Sequence, residues 1–171
     1  PNSKSRSGSG STGAGYYDSK GYFTANYSYD KRRYGIPYAG FIESAGEENS
    51  DIDINMSSSN VRLNGGFRDV DSPITGGKVT LNYNKYQHQE LEEAEINTTF
   101  FNQTFSYRAS FEQKKTDRLT GRFGFDGFNR EYLVEGAERL IDGKVKQNSF
   151  AAFGLEELNF GRVSFQFGGR I

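Results

Sequence analysis

The chain has no cysteine and no tryptophan, a single histidine and three prolines in 171 residues. Without cysteine there is no disulfide framework, thiolate zinc site or thiol nucleophile, and with His88 as the sole imidazole the usual catalytic dyads and triads have one possible centre. An excess of either charge is also missing. The 21 Lys and Arg balance 22 Asp and Glu, so no basic block is available to displace counterions from nucleic-acid phosphate. Long apolar runs are absent: the densest, Phe150 to Leu155, falls far short of the about 18 residues that mark a transmembrane helix. Only 34% of residues are hydrophobic, which is little for a water-soluble core. Disorder fits poorly, because net charge is near zero and large aromatics are plentiful, with 15 Phe and 11 Tyr. Pro1-Asn2-Ser3-Lys4-Ser5-Arg6 is not followed by an apolar targeting segment, and the sequence does not open on Met. A mature, trimmed or partial piece of a longer protein is expected.

What is present alternates every second residue, the period of half-buried strands. Phe23, Ala25, Tyr27 and Tyr29 oppose Thr24, Asn26 and Ser28; Val79, Leu81 and Tyr83 oppose Lys78, Thr80, Asn82 and Asn84. Thr99, Phe101, Phe105, Tyr107, Ala109 and Phe111 take one face of a further strand. Leu119, Gly121, Phe123 and Phe125 take one face of the next, and Val163, Phe165, Phe167 and Ile171 that of the last. Ile52, Ile54 and Met56 have one parity and Val61, Leu63 and Phe67 the other, which predicts a β-bulge near Ser57 to Asn60. With a poorly patterned first strand within Ser5 to Tyr16, eight strands result.

Turn-sized connections at Tyr17–Gly21, Lys114–Arg118 and Asn159–Gly161, and a somewhat longer one at Arg68–Gly76, alternate with long polar ones at Tyr34–Ser50, Gln87–Glu95 and Asn129–Lys146. In a meander, this places all short turns at one end. An aromatic face opposite one bearing Arg, Asp, Asn, Gln and Ser favours an all-β antiparallel meander of about eight strands within a transmembrane outer-membrane β-barrel. A sheet in lipid must close, either on these eight strands or as an arc of a larger barrel.

Several stretches taken in order carry a family resemblance. These are Tyr34-Gly35-Ile36-Pro37; Tyr83 to Glu90 followed by Ile96-Asn97-Thr98-Thr99-Phe100; Phe153-Gly154-Leu155-Glu156-Glu157; and Gln166 to Ile171. Over most of Gly21 to Ile171 the chain resembles the barrel of a TonB-dependent outer-membrane receptor of the metal or metal-chelate (siderophore-like) uptake subgroup. The resemblance implies a Gram-negative outer-membrane location, a barrel of about 22 strands of which residues 1–171 would be one segment, and energy coupling to the TonB complex through a plug domain that this sequence does not contain. Lipid and the metal or chelate are the implied partners, with no cofactor, enzymatic activity or nucleic-acid partner. The loop after Pro37, often His-rich in such receptors, here carries Glu43, Glu47 and Glu48 and no His. A complete small eight-stranded barrel with a structural or adhesive role is the alternative.

His88 lies beside Glu90, Glu92, Glu93 and Glu95, a ligand combination suited to a divalent cation, and Glu47, Glu48 and Asp51 are the other candidate capture residues. A solvated rim histidine is the plainer state. Arg108, Arg122, Asp126 and Arg170 fall on polar faces and are expected to face the lumen, pairing with one another or lining a channel. Glu156 and Glu157 are adjacent and point to opposite faces, so they do not form a catalytic pair. Gly8-Ser9-Gly10-Ser11-Thr12-Gly13 fits the dinucleotide spacing but lacks the strand before it and the helix after it. The Asn-x-Ser/Thr triplets at Asn26, Asn55, Asn97 and Asn102 are expected by chance in a chain rich in these residues.

Overall fold

A computed structural model describes residues 3–37, 52–137, 139 and 142–171. They form one antiparallel sheet of eight strands in sequential order: β1 (Ser5–Tyr17), β2 (Gly21–Gly35), β3 (Ile52–Phe67), β4 (Ile74–Glu92), β5 (Glu95–Gln113), β6 (Leu119–Gly136), β7 (Val145–Phe160) and β8 (Val163–Arg170). The expected all-β meander is therefore present. The sheet is open, with β1 and β8 at its edges. Gly8 to Gly13 lies within β1, outside any strand–loop–helix context.

The short turns at one end have local causes. Asp18 accepts hydrogen bonds from the backbone N–H of Lys20 and Gly21, both at 2.7 Å, closing the β1–β2 turn. Thr116 Oγ1 accepts from Leu119 N–H at 3.0 Å before β6, and Gly161 supplies the positive φ for the β7–β8 turn. At the other end, Gln87–Glu95 is not the long loop the sequence led us to expect. β4 runs to Glu92, β5 starts at Glu95, and Glu93-Ala94 alone makes the turn, with φ of 50° and 71°. Likewise β6 continues to Gly136 inside the expected 129–146 loop. Ladder hydrogen bonds are made by backbone groups, so polar side chains do not end a strand that still has a partner. Of the 34–50 connection, residues 38–50 lie outside the described residues.

The bulge expected at Ser57–Asn60 is not there. β3 pairs one-for-one with β2 and with β4 across this stretch, and the irregularities fall at Ile74/Gly76 and Glu90/Leu91 instead. The parity change is chemical. On one face Leu63 and Val61 give way to Ser59, Ser57 and Asn55, while on the other Arg62, Asn60 and Ser58 give way to Met56, Ile54 and Ile52. The apolar and polar sides exchange along a regular strand.

The register aligns the apolar positions into rows. Ala25, Leu63, Leu81, Tyr107, Gly127 and Phe150 form one, and Tyr27, Val61, Tyr83 and Phe105 another. The buried apolar core among the described residues is only Ile54, Leu91, Ala109, Val134 and Ala151. Phe23, Phe150 and Phe167 stay 52%, 68% and 58% exposed, so the aromatic face has no second layer over it.

Two substitutions test this packing. A Cβ at Gly124 would collide with the Ala109 carbonyl oxygen and the Phe153 ring, whereas one at Gly154 meets nothing within 4 Å. Gly124→Ala is expected to destabilise the sheet by about 1–3 kcal/mol and Gly154→Ala to leave it unchanged or slightly firmer, as read from urea midpoints. Ala94→Gly should stabilise by about 1 kcal/mol by relieving the left-handed backbone of the β4–β5 turn; a lower midpoint would contradict that turn geometry.

Candidate functional site

The face opposite the aromatic one carries most of the sequence-predicted site residues, and the register sorts them by height along the strands. Near the long-connection end, His88 stands in a row with Arg32, Met56, Phe100 and Val134. Its ring stacks on Phe100 with centroids 4.3 Å apart and meets Tyr86 edge-on at 5.7 Å. His88 Nε2 is 3.8 Å from Glu90 Oε1, while Nδ1 is buried with no hydrogen-bond partner. Burial pushes the imidazole pKa down from its usual value, and burial beside Tyr34 and Tyr132 pushes that of Tyr86 up.

Glu90 shares the His88 face, and Glu92 lies two residues on, bordering a shallow acidic depression of about 460 Å³ with Glu93 and Glu95. Among the described residues no three His, Asp or Glu side chains converge as a metal site. Glu47, Glu48 and Asp51 lie outside the described residues. His88 thus belongs to a strand and an apolar cluster, where a rim loop was expected.

Midway along the sheet, Arg170 grips Asp126 with both guanidinium nitrogens, at 2.8 and 2.7 Å. Arg108 is directly opposite Asp126 in register, but its guanidinium lies over the Phe153 ring, 5.0 Å from the centroid. Arg122 occupies the same face four residues before Asp126. The structure thus brings Arg108, Asp126 and Arg170 together and holds Arg122 nearer the short turns. The alternation rule was enough to find these four.

It did not single out Arg130, which is on the same face with its guanidinium 5.3 Å from the Phe128 centroid. The signal was its spacing of four from Asp126, hidden because 129–146 read as a loop. On the aromatic face, Glu131 is held by Lys146 and Lys144 at 3.2 and 3.4 Å, and hydrogen bonding from these lysines lowers its pKa. Glu156 and Glu157 do take opposite faces: Glu156 shares a row with Gly121 and Phe167, where Gln113 Nε2 donates to it at 2.6 Å, and Glu157 accepts from Asn159 at 2.9 Å.

No protein-family model and no curated protein matches this chain.

The His88 environment makes a pH prediction. Its folded pKa lies below the free imidazole value of about 6.5, so the unfolded chain binds the proton first and the site opposes folding as pH falls through that value. His88→Phe should therefore lose less stability than the wild type between neutral pH and about pH 5. Urea midpoints for both proteins at the two pH values check this, and an equal acid loss would refute it.

Proposed function

We propose that this chain is part of the wall of a transport barrel in a bacterial outer membrane and, following the resemblance, of a TonB-dependent receptor that imports a metal ion or metal chelate. The aromatic face meets lipid and the arginine-bearing face meets the lumen. A plug domain outside this chain would couple transport to the TonB complex.

The observation that carries this reading is how the apolar band ends. On β2 the last large apolar residue of the band is Tyr29, followed on that face by Lys31 and Arg33. On β3, β4 and β5 it is Val61, Tyr83 and Phe105, in register with Tyr27; on β6 it is Phe125, in register with Phe23, and on β7 Phe150, in register with Ala25. From position 29 on β2 the boundary slips to position 23 on β6, six residues over four strand steps, and stands at position 25 on β7, four residues over five. At about 3.3 Å per residue and about 4.8 Å per strand, that is a slope of about 30–45°, comparable to the tilt of about 35–45° at which barrel strands cross a bilayer. A level membrane surface cutting tilted strands produces such a drift. A second layer packed on a soluble sheet imposes no such line.

Above the band the same face carries Ser57, Lys85, Gln87, Gln103 and Glu131, with Phe101 and Leu133 as an isolated apolar pair. Strands β2 to β7 have 15–19 residues, beyond the about 9–11 that cross a bilayer, so they extend past the membrane at the long-connection end. There, where lipid no longer sets the outer chemistry, the apolar side moves inward to Ile54, Met56, Tyr86 and Phe100.

Leu81 and Gln87 share a face of β4, inside and above the band. Leu81→Arg should destabilise the protein in lipid vesicles by about 2–4 kcal/mol, and Gln87→Arg by less than about 0.5 kcal/mol, measured by urea titration. Equal tolerance at both positions, or recovery of a soluble monomer without detergent, would overturn the membrane assignment.

A further inference from the structure

The polar face is divided between two chemistries. Across β2 to β4 it is mostly an amide and hydroxyl ladder whose members satisfy one another, with Lys78 and Arg62 on the same face, the latter donating to Asn82, and Arg32 paired with Asp30. Asn64 Nδ2 donates to Thr24 Oγ1 at 3.1 Å, Thr80 Oγ1 to Asn64 Oδ1 at 3.0 Å, Asn60 Nδ2 to Asn82 Oδ1 at 3.0 Å and Asn84 Nδ2 to Ser58 Oγ at 3.1 Å. Across β5 to β8 it is cationic, with Arg108, Arg122, Arg130 and Arg170. Among the described residues, the one ion pair on this face of β5 to β8 joins Arg170 to Asp126. Arg108, Arg122 and Arg130 have no carboxylate within ion-pair distance among the described residues; Arg130 Nε reaches Thr104 Oγ1 at 3.4 Å. The other carboxylates of this face, Glu112 and Glu157, stand near the short-turn end at the level of Arg122, with Glu112 opposite Arg122 in register.

Spacing turns these residues into a series. Arg122, Asp126 and Arg130 recur every four residues on β6, about 13 Å apart along the strand, with Arg108 and Arg170 flanking the middle step. Phe153 and Phe128 support the planes of Arg108 and Arg130, an arrangement that steadies a guanidinium while leaving its N–H edges free for an oxyanion. Between the steps lies an open cavity of about 300 Å³, bordered by Thr80, Ser106, Arg108, Asp126, Ser149 and Arg170.

We propose that this face of β5 to β8 is a guanidinium track that binds small anionic solutes bearing phosphate or carboxylate groups and hands them along the wall. Passage along it rests on the barrel assignment; binding does not. Arg108, Arg130 and Arg170 stand against one paired aspartate, and Arg122 stands opposite Glu112 in register without an ion pair, so this face carries a local surplus of positive charge, which concentrates anions. Planar guanidiniums match phosphate and carboxylate in two-pronged bonds, and separated modest sites allow entry as well as release. On the neighbouring half the amides are largely filled, and the guanidiniums of Arg62 and Arg32 already donate to Asn82 and Asp30.

The test is calorimetric titration of the full chain in non-ionic detergent with inorganic pyrophosphate at low salt, with sheet content checked by circular dichroism. The variants are the triple R108Q/R122Q/R130Q and, as a control on the lipid-side face, Lys85→Gln. The track requires pyrophosphate binding that weakens with salt, falls at least about tenfold in the triple variant and is unchanged in the control. Equal binding by wild type and triple variant, or no binding by a folded wild type, overturns it, as does binding of a polyglutamate peptide alone, which would mark a docking face for polypeptide. A membrane-inserted chain that ignores pyrophosphate sinks the track and leaves the barrel standing. A water-soluble chain that binds it through these arginines does the reverse.

Discussion

Everything in this molecule hangs on a backbone ladder that runs without slippage across most of seven strand pairs. A one-residue slip would turn every side chain of a strand to the opposite face. Because β2 to β7 keep their register over the span that holds the aromatics, Leu63, Leu81 and Tyr107 align on one side and Asn64, Thr80 and Arg108 on the other. The two irregular points, at Ile74/Gly76 and Glu90/Leu91, lie at the ends of β4, clear of that span. With so few residues buried, the ladder and its cross-strand neighbours, not a packed interior, define the structure.

Much of this was legible from alternation alone. Phe23 to Tyr29, Val79 to Tyr83 and Leu119 to Phe125 each assigned their own faces, because a strand with two different environments writes a period of two into its sequence. The number of strands and the placement of short turns followed. What failed, failed for one reason: pattern reading assumes that each side of a strand keeps one environment from end to end. In β3 the sides exchange chemistry near Ser58 with no change in the backbone, which reads as a bulge. In β4 and β6, polar residues on both sides read as loops, so His88 and Arg130 were placed off the strands that hold them. The stacking of His88 on Phe100 has no local signature, since it depends on two residues brought opposite by the Glu93-Ala94 turn.

The arginine-bearing face has a vertical order as well as a lateral one. Toward the long-connection end it is aromatic and aliphatic, with Tyr86, His88 and Phe100 beside Ile54 and Met56. Midway it is charged and hydrogen-bonded, with a saturated amide half and an unsaturated guanidinium half. On the aromatic face the sequence of environments is inverted, apolar first and charged above. Glu156 is an exception within the apolar band, and it sits toward the short turns in contact with Gln113, where Gly121 leaves room for its carboxylate.

The arginine-bearing face bears on how the proposed barrel would close. An eight-stranded barrel has an interior that side chains fill completely. Closing β8 onto β1 would press Arg62, Lys78, Arg108, Arg122, Arg130 and Arg170 into that interior, with Asp126, Glu112 and Glu157, and Glu90 and Glu92 toward the long-connection end, as the counter-charges of β3 to β8, at a dielectric where unpaired charge is costly. Tyr22, Tyr132, Phe128 and Phe153 would need the same space. β1, built from Ser, Gly and Thr, contributes no carboxylate to relieve the crowding. A wider lumen holding water lets each guanidinium stay solvated, and it satisfies the bare backbone edges of β1 and β8 by adding strands on both sides. Charge on the inner wall, as much as the count of strands, therefore favours an arc of a larger barrel over a small closed one.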